Sequence, residues 1–593
     1  MTTLNLGAVG NCGFSALIDP KGRVVWCCLP RFDGDPVFNT LLAGVEDPDE
    51  GMFSIELDGL VETEQSYDPK TAILRTRLHG SSGSLEIVDF APRFFWRDRI
   101  FRPQTLIRRL RPISGTPRIT VRMRPTFAHG TVRPQKTRGS NHIRYVGPDM
   151  TLRVSTDAPL DYVIDETSFN LTTPVDFILG PDETIEGDVT NTAHDFEERT
   201  CKYWYNWVSS LALPFEWQEA VIRAAITLKL CTYEPTGAII AAMTTSIPEA
   251  PDSGRNWDYR YCWVRDAFFV VRALNSLGTV QTMENYFRYL MDLVADADGG
   301  HIQPVYGIGR ESQLTESILD NFSGYRGMGP VRIGNQAYEH YQHDAYGNVI
   351  LGAAQIFFDK RIQMKPSLSD FQLLEVAGEQ AYKLHNTPDA GMWELRSRSR
   401  VHTSSSLMCW AACDRLAHIA SSLGENARVR YWRERAEEIR QRILTEAWSE
   451  KRKAFVESFG GNTLDASILL MAEVGFIDPR DPRFVSTVDQ LEKALATGPY
   501  MKRYEAADDF GPPEVSFNIC AFWRLDALAR IGRDEEAREI FEALLETRNS
   551  LGMLSEDTHP VTGEMWGNFP QTYSMVGIIN GARRLSKPWE SVV

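Results

Sequence analysis

The chain of 593 residues contains no uninterrupted apolar run of about 18 residues, the shortest that crosses a bilayer as a helix. It also has no excess of basic residues, because 63 Lys and Arg face 79 Asp and Glu for a formal net charge of −16. That charge repels phosphate backbones and anionic lipids, so we expect no nucleic-acid partner and no membrane surface. The first residues lack the basic start and apolar stretch of a secretory signal, which predicts a cytoplasmic protein.

Paired cysteines are also missing. The nine cysteines form no CxxC motif and no regular framework, so we expect reduced thiols packed as small hydrophobic groups. The chain has no GxSxG elbow, Walker loop or HExxH motif, and we predict neither a cofactor nor a metal. His340 and His343 have the spacing of metal ligands on a helix face, but without a close Cys or carboxylate partner packing explains them better.

What is present is a globular composition whose pattern changes near residue 200. Hydrophobic residues make up 43% and charged residues 24%, which excludes a disordered or fibrous chain. Earlier in the chain, apolar residues alternate in short runs such as Phe53-Ile55-Leu57, Leu74-Thr76-Leu78 and Ile119-Val121-Met123. Because alternate residues of a strand share one face, we predict an antiparallel β-sandwich over residues 1–193. Residues 194–214 are typical of a helical linker.

After the linker, the apolar period lengthens to three and four residues. Val429, Trp432, Ala436, Ile439 and Ile443 place one apolar stripe along an otherwise charged helix. Twelve helices that pack in close pairs would form six hairpins closed into an α/α toroid. The predicted helices lie at about 216–234, 263–279, 281–297, 345–360, 369–385, 404–422, 424–446, 463–475, 482–496, 514–532, 534–548 and 570–586.

Long polar loops alternate with the short connections of this toroid. In such a ring every second connection opens on the same rim, and long ordered loops usually carry function. We therefore expect one crater, with the functional site inside it. The six long loops are 235–262, 298–344, 386–403, 447–462, 497–513 and 549–569.

Two glutamates stand out in these loops. Glu394 follows Trp393, and Glu556 lies in the last long loop with no adjacent Lys or Arg. A lone loop glutamate is most often a solvated charge, but Trp393 is expected to desolvate the first carboxyl and favour the protonated form that a general acid needs. Two carboxyls facing each other across a cleft are the minimum for glycoside hydrolysis.

The segment RNWDYRYCWVRD at 255–266 is dense in aromatic and charged residues. A loop pinned by salt bridges is one interpretation and a sugar clamp is the other. In a clamp, aromatic faces stack on the C–H surfaces of a pyranose, while Arg265 and Asp266 divide their hydrogen bonds between adjacent ring hydroxyls. The same chemistry recurs on other loops at Arg332, Asn335, Arg503 and Tyr504.

Eight motifs in order make the chain resemble glycoside hydrolase family 15, which contains bacterial glucoamylases, glucodextranases, isomaltose-releasing enzymes and trehalases. The family has an N-terminal β-supersandwich followed by an (α/α)6 barrel, and here the barrel would span 215–593. The start of the chain, GNCGFSALID and WCCLPRFD, is similar to the opening of that β-domain. The motifs are RNWDYRYCWVRDA (255–267), PVYGIG (304–309), GYRGMGPVRIGNQA (324–337), DAYGNV (344–349), GMWELR (391–396), RY (503–504), LSED (554–557) and GNFPQTYS (567–574).

The resemblance implies an inverting, exo-acting hydrolase of α-linked glucose, with Glu394 as general acid and Glu556 as general base. It assigns Arg265 and Asp266 to the non-reducing glucose. Glu316, on the second long loop, is a candidate helper, with a structural salt bridge as the equal alternative. Further sugar contacts are implied at Trp257, Tyr259, Trp263, Arg332, Trp393, Arg503 and Tyr504.

The sequence departs from the family pattern at two positions. Ser406 stands where a lysine is expected, and Val515 where a glycine is expected. Both changes predict a smaller, less charged site for the leaving group. Together with the missing secretion signal, they favour a neutral oligosaccharide as substrate, specifically short malto- or isomalto-oligosaccharides, with trehalose as the alternative.

Other functions stay open at this level. A non-catalytic glycan-binding protein would keep the aromatic clamp but need neither glutamate. A phosphorylase would keep one acid and replace the base by a cationic phosphate pocket. A terpene cyclase would use an acidic pair such as Asp508-Asp509 in an α/α barrel, but the loops here are rich in Arg, Asp and Asn, which does not suit apolar products.

Overall fold

The computed structural model describes residues 3–591, apart from the side chain of Asp298. Its first part consists of strands and one short helix, α1 (Leu160–Ile164). The strands are β1 (Gly7–Gly10), β2 (Ser15–Ile18), β3 (Val24–Leu29), β4 (Asp35–Phe38), β5 (Met52–Leu57), β6 (Leu60–Tyr67), β7 (Leu74–Gly80), β8 (Gly83–Phe90), β9 (Phe94–Trp96), β10 (Arg99–Phe101), β11 (Leu106–Gly115), β12 (Arg118–Arg124), β13 (Gln135–Arg138), β14 (His142–Val146), β15 (Thr151–Thr156), β16 (Phe169–Asn170) and β17 (Val175–Pro181).

All of these strands except β9 and β10 form two large antiparallel sheets, and β9 and β10 pair with each other. One has the order β1-β2-β3-β5-β12-β16 with β4 paired to β3, and the other has the order β13-β14-β15-β17-β11-β8-β7-β6. They pack face to face, since the rings of Phe53 and Phe177 from opposite sheets have centroids 5.7 Å apart. Ile55, Leu74 and Val121 are buried between the sheets. The alternating pattern therefore predicted the sandwich correctly.

A long helix leads out of the sandwich. α2 (Val189–Ser209) starts at Asp188, whose side chain accepts a hydrogen bond from the backbone N–H of Asn191. Val189 and Ala193 pack on the outer face of the eight-stranded sheet. The helix begins five residues before the predicted linker. The division into 1–193, 194–214 and 215–593 stays a proposal.

Twelve α-helices follow between residues 218 and 585, as predicted. α4, α6, α8, α10, α12 and α14 form an inner ring, which a 3-10 turn over 466–469 closes between α8 and α10, and the other six helices pack around them. This is an (α/α)6 barrel. The helices are α3 (Gln218–Leu230), α4 (Val264–Ser276), α5 (Val280–Asp296), α6 (Asp344–Ala354), α7 (Leu368–Leu384), α8 (Thr403–Leu423), α9 (Asn426–Glu446), α10 (Leu470–Glu473), α11 (Pro482–Leu495), α12 (Asn518–Arg530), α13 (Asp534–Glu546) and α14 (Thr572–Leu585).

The burial of each helix follows its place in the barrel. All eleven residues of α6, an inner helix, are buried, whereas α9 on the outside buries only five. Those five are the residues of the predicted apolar stripe. α10 is much shorter than predicted, because the chain at Asp465 pairs with Tyr504 and Gly475 ends the segment with a φ of +82°. A 3-10 turn from Ala466 to Leu469 precedes it.

The loops of the barrel contain short two-residue strands and rest on the sandwich. The Trp26 indole N–H donates to the carbonyl of Met243 at 2.8 Å, and Arg93 pairs with Glu234 at 2.6 Å. No helix between residues 3 and 591 is long and apolar enough to cross a membrane. The short strands are Thr232–Tyr233, Ala238–Ile239, Cys262–Trp263, Val305–Tyr306, Ser317–Ile318, Arg332–Ile333, Trp448–Ser449, Ala454–Phe455, Ala496–Thr497, Tyr500–Met501, Ser516–Phe517, Asp557–Thr558 and Met565–Trp566.

Candidate active site

The long loops meet on one rim of the barrel and enclose a cavity of about 90 Å³. Five of the six predicted crater loops contribute to its wall, and the described residues of 447–462 do not. Most of the predicted site residues are thereby brought together. Those on the wall are Trp257, Tyr259, Trp263, Arg265, Asp266, Trp393, Glu394, Arg503, Tyr504 and Glu556.

The floor of the cavity is formed where inner helices begin. Arg265 and Asp266 lie in the first turn of α4, and Tyr573 lies in the first turn of α14. The Arg265 guanidinium lies 3.1 Å from the Asp266 carboxylate and donates to the carbonyl of Met392 at 2.6 Å. Burial raises the pKa of Asp266, while the charge of Arg265 opposes that shift. The floor thus presents a fixed charged pair to a ligand.

Glu556 is held by two donors on one carboxyl oxygen. Its Oε1 accepts from the Tyr259 hydroxyl at 2.7 Å and from Arg503 at 2.9 Å. Oε2 has no hydrogen-bond partner among residues 3–591, although Glu556 is only 1% exposed. Burial raises the pKa of Glu556 to about 8, with a further contribution from the charge of Glu249 and opposition from Arg503. Oε2 is therefore the oxygen that can act as a base once the carboxyl has lost its proton.

Glu394 lies in a tight turn that begins at Gly391. Its φ is +62°, a left-handed conformation that is strained for a residue with a side chain. Its Oε1 accepts from the Trp263 indole at 2.6 Å and lies 3.9 Å from Arg265. The side chain is 23% exposed, so solvent and ligand reach it more easily than they reach Glu556.

The Trp393 indole is not the group that donates to this carboxyl. Its indole N–H donates instead to Asp465 at 2.7 Å. Burial raises the pKa of Asp465 to about 7, with the charge of Glu457 adding to the shift. The tryptophan bonded to Glu394 is Trp263.

Two aromatic rings connect the two glutamates. Tyr259 bonds Glu556, Trp263 bonds Glu394, and the two rings pack edge to face with centroids 5.3 Å apart. The carboxyls therefore do not touch each other. Glu394 is bonded to the ring of Trp263, and Glu556 is bonded to the hydroxyl of Tyr259.

Arg332 and Glu316 do not reach the cavity wall. Arg332 lies over the Trp257 ring at 4.9 Å, and its side chain donates to the carbonyl of Asn256 at 2.8 Å. Glu316 pairs with Arg332 at 3.3 Å and with Arg396 at 3.0 Å. Of the two interpretations of Glu316, the structure supports the salt bridge. Arg332 supports the wall from behind and does not form part of it.

The two departures from the family pattern also lie away from the cavity. Ser406 is fully buried on α8, where its hydroxyl donates to the carbonyl of His385 at 2.5 Å. Val515 is buried as well and is not on the cavity wall. These positions therefore give no support to the predicted small leaving-group site.

The two histidines at possible metal spacing are not arranged as ligands. His340 lies on the cavity wall, whereas His343 is buried and its pKa is lowered to about 4 by that burial. The part of the chain from residue 3 to residue 591 contains no group of three or more His, Cys, Asp or Glu side chains that could hold a metal ion. All nine cysteines are unpaired.

Several wall residues were not predicted from the sequence, including Glu249, Arg396 and Gln571. Glu249 follows a proline in an ordinary polar loop, and nothing in its neighbourhood marks it as functional. Arg396 and Gln571 lie inside family motifs, GMWELR and GNFPQTYS, so the motif match was the available signal for them.

The barrel and a crater with two separately anchored carboxyls define the class of this protein, which is a glycoside hydrolase. The family model described as "Glycosyl hydrolases family 15" matches residues 217–583. A second model, described as "Trehalase-like, N-terminal", matches residues 5–170. The chain belongs to glycosyl hydrolase family 15.

Similar proteins extend over almost the whole chain. A trehalase of Mycolicibacterium smegmatis is 33% identical and the match covers 97% of this chain and 90% of that protein. A trehalase of Thermoplasma volcanium is 30% identical, with 98% and 93% covered. The crystal structure of a bacterial glucoamylase complexed with acarbose matches with a TM-score of 0.68 at 12% identity, covering 99% of this chain and 94% of that one. That last likeness concerns the fold alone.

Proposed function

We propose that this glycoside hydrolase cleaves α,α-trehalose into two glucose molecules with inversion at the attacked carbon. The observation that carries the proposal is the likeness, over 97% of the chain, to a protein named trehalase. The match of residues 5–170 to a trehalase-like N-terminal model supports it in the β-sandwich.

Glu394 is the general acid of the proposed reaction. Its proton goes to the glycosidic oxygen as the bond from that oxygen to the anomeric carbon breaks. The Trp263 indole fixes one carboxyl oxygen at 2.6 Å, which leaves the other to carry the proton. Its partial exposure lets the leaving glucose approach from the open side of the crater.

Glu556 is the general base. Its Oε2 takes a proton from a water whose oxygen forms the new bond to the anomeric carbon. The bonds from Tyr259 and Arg503 hold Oε1, so the carboxylate keeps one orientation through the reaction. An inverting pair needs a separation of about 6.5–9.5 Å to admit this water, and here the two glutamates are bonded to different rings of the aromatic pair.

The remaining wall residues hold the sugars. Arg265 and Asp266 on the floor bind hydroxyls of the first glucose. Each has a buried polar atom with no hydrogen-bond partner among the described residues, Arg265 Nε and Asp266 Oδ2. The second glucose lies nearer the rim, beside Arg396 and Phe510. Aromatic stacking and wall contacts are assigned to Trp257, Tyr259, Trp263, Trp393, Arg503 and Tyr504.

Trehalose is expected to give the highest kcat/KM in a panel with maltose, isomaltose, maltotriose, soluble starch and dextran. The expected lead is at least about tenfold, because a contact matched to the second sugar is worth about 1.4 kcal/mol or more. Initial rates at equal concentrations of non-reducing ends measure it. Maltose or isomaltose in the lead would restore the malto- or isomalto-oligosaccharide interpretation, and glucose 1-phosphate among the products would indicate phosphorolysis.

The anomers of the first products report the stereochemistry. Inversion converts the attacked α-linked glucose to β-glucose, while the leaving glucose departs with its α-configuration, so trehalose should give equal amounts of both. Proton NMR within the first minutes, before mutarotation, measures the ratio. Retention would give α-glucose alone, and that result would refute a water-activating role for Glu556.

A further inference from the structure

Glu249 is a buried carboxylate beside the candidate base that the family motifs do not include. It is 4% exposed and lies on the cavity wall. Its Oε1 accepts from the Trp257 indole at 2.9 Å, and its Oε2 accepts from Arg503 at 2.5 Å. Its neighbour Pro248 accepts a backbone hydrogen bond from Gly567, which ties this loop to the loop that carries Glu556.

Arg503 connects Glu249 to Glu556. Nη1 of its guanidinium bonds Glu249, while Nη2 lies 2.9 Å from Glu556 Oε1 and 3.3 Å from Asp557. A guanidinium is planar and rigid, so fixing one nitrogen fixes the direction of the other. Nε of Arg503 has no hydrogen-bond partner among the described residues, so the two terminal nitrogens determine its orientation.

We propose that Glu249 is a positioning residue: it orients Arg503, and through Arg503 it holds Glu556 Oε1 so that Oε2 stays available to the attacking water. The inference rests on the proposed role of Glu556 as general base. It adds a residue that acts on the base without touching the substrate.

Glu249 also affects the charge balance around the base. The charged groups that face Glu556 are Arg503, Glu249 and Asp557, and Arg255 lies 3.9 Å from Glu249. The charges of Glu556, Glu249 and Asp557 are thus balanced mainly by the single guanidinium of Arg503. The negative charge of Glu249 disfavours the ionised form of Glu556 and raises its pKa, in addition to the effect of burial.

The test is the pH dependence of kcat/KM on trehalose for Glu249→Gln. The ionisation assigned to Glu556 is the one that disappears from the profile of Glu556→Gln. In Glu249→Gln the ionisation of Glu556 should move to lower pH by about one unit. The substitution removes a like charge, and Arg503 then pairs only with Glu556 and Asp557. A fall in kcat of about tenfold or more, with KM changed less than threefold, is also expected from the loosened guanidinium. Glu249→Asp keeps the charge and should keep the ionisation close to its original pH.

A matched control is Glu375→Gln. Glu375 also accepts from an arginine and a tryptophan, Arg428 at 2.6 Å and Trp432 at 2.7 Å, but it lies between outer helices. The pH profile of kcat/KM for Glu375→Gln should not shift. An unshifted profile in Glu249→Gln, with kcat strongly lowered in Glu556→Gln, would overturn the role of Glu249 and leave the base in place. Full activity of Glu556→Gln would instead overturn the proposed function.

Discussion

Glu394→Gln and Glu556→Gln are each expected to lower kcat on trehalose by about 10²–10⁴-fold, the usual contribution of one general acid or base. The amide at 394 has no proton of suitable acidity for the glycosidic oxygen, and the amide at 556 cannot take a proton from water. Both replacements keep the size of the side chain and one acceptor oxygen for Trp263 or Tyr259. Steady-state rates measure the loss of kcat, and thermal unfolding measures any separate loss of stability.

The matched control is a Glu→Gln change at a carboxylate that has only a structural role. Glu375→Gln serves here as well, because its bonds to Arg428 and Trp432 are remote from the crater. Its kcat should stay within about twofold of the parent protein. Near-normal turnover in either active-site variant would remove that glutamate from its role, whereas equal losses in all three variants would point to a general defect in folding.

The fold was largely predictable from periodicity, because burial imposes it on the sequence. Phe53 and Ile55 alternate along β5 since one face of that strand meets the other sheet. Trp432 and Ile439 recur at helical spacing since α9 packs on one side only. The length of α10 was not predictable, because its start depends on a pairing between Asp465 and Tyr504 that joins distant parts of the chain.

The candidate site was predictable where a motif carried it and less so where loops determine it. Trp257 and Arg332 come from different loops, and only the folded chain shows that one lies on the cavity wall and the other behind it. Glu249 was missed for the same reason, since its link to Glu556 passes through Arg503, 254 residues away in sequence. Ser406 lies in the core and not on the cavity wall, because a helix position in a motif can face the core as easily as the site.

Gly567→Ala is expected to lower kcat by about 10²-fold although it changes no polar group, because a misplacement of about 1 Å at a reacting group costs that much. Gly567 has a φ of +74°, and a Cβ added there would lie 2.6 Å from Glu556 Cβ and 2.8 Å from Glu556 Oε2. Both contacts are too short to persist, so the carboxylate that carries the base must move. Steady-state kinetics on trehalose measure the loss.

The control separates this displacement from backbone strain. Gly475 has a similar φ of +82°, but a Cβ there would meet nothing within 4 Å. Gly475→Ala therefore introduces the same left-handed conformation, costing about 1–2 kcal/mol, without touching the crater. Both variants should lose stability to this strain, and Gly567→Ala should lose more because of its close contacts, while only Gly567→Ala loses turnover. If both kept their kcat, the position of the Glu556 carboxylate would not limit the reaction, and its role as the base that activates water would fail with it.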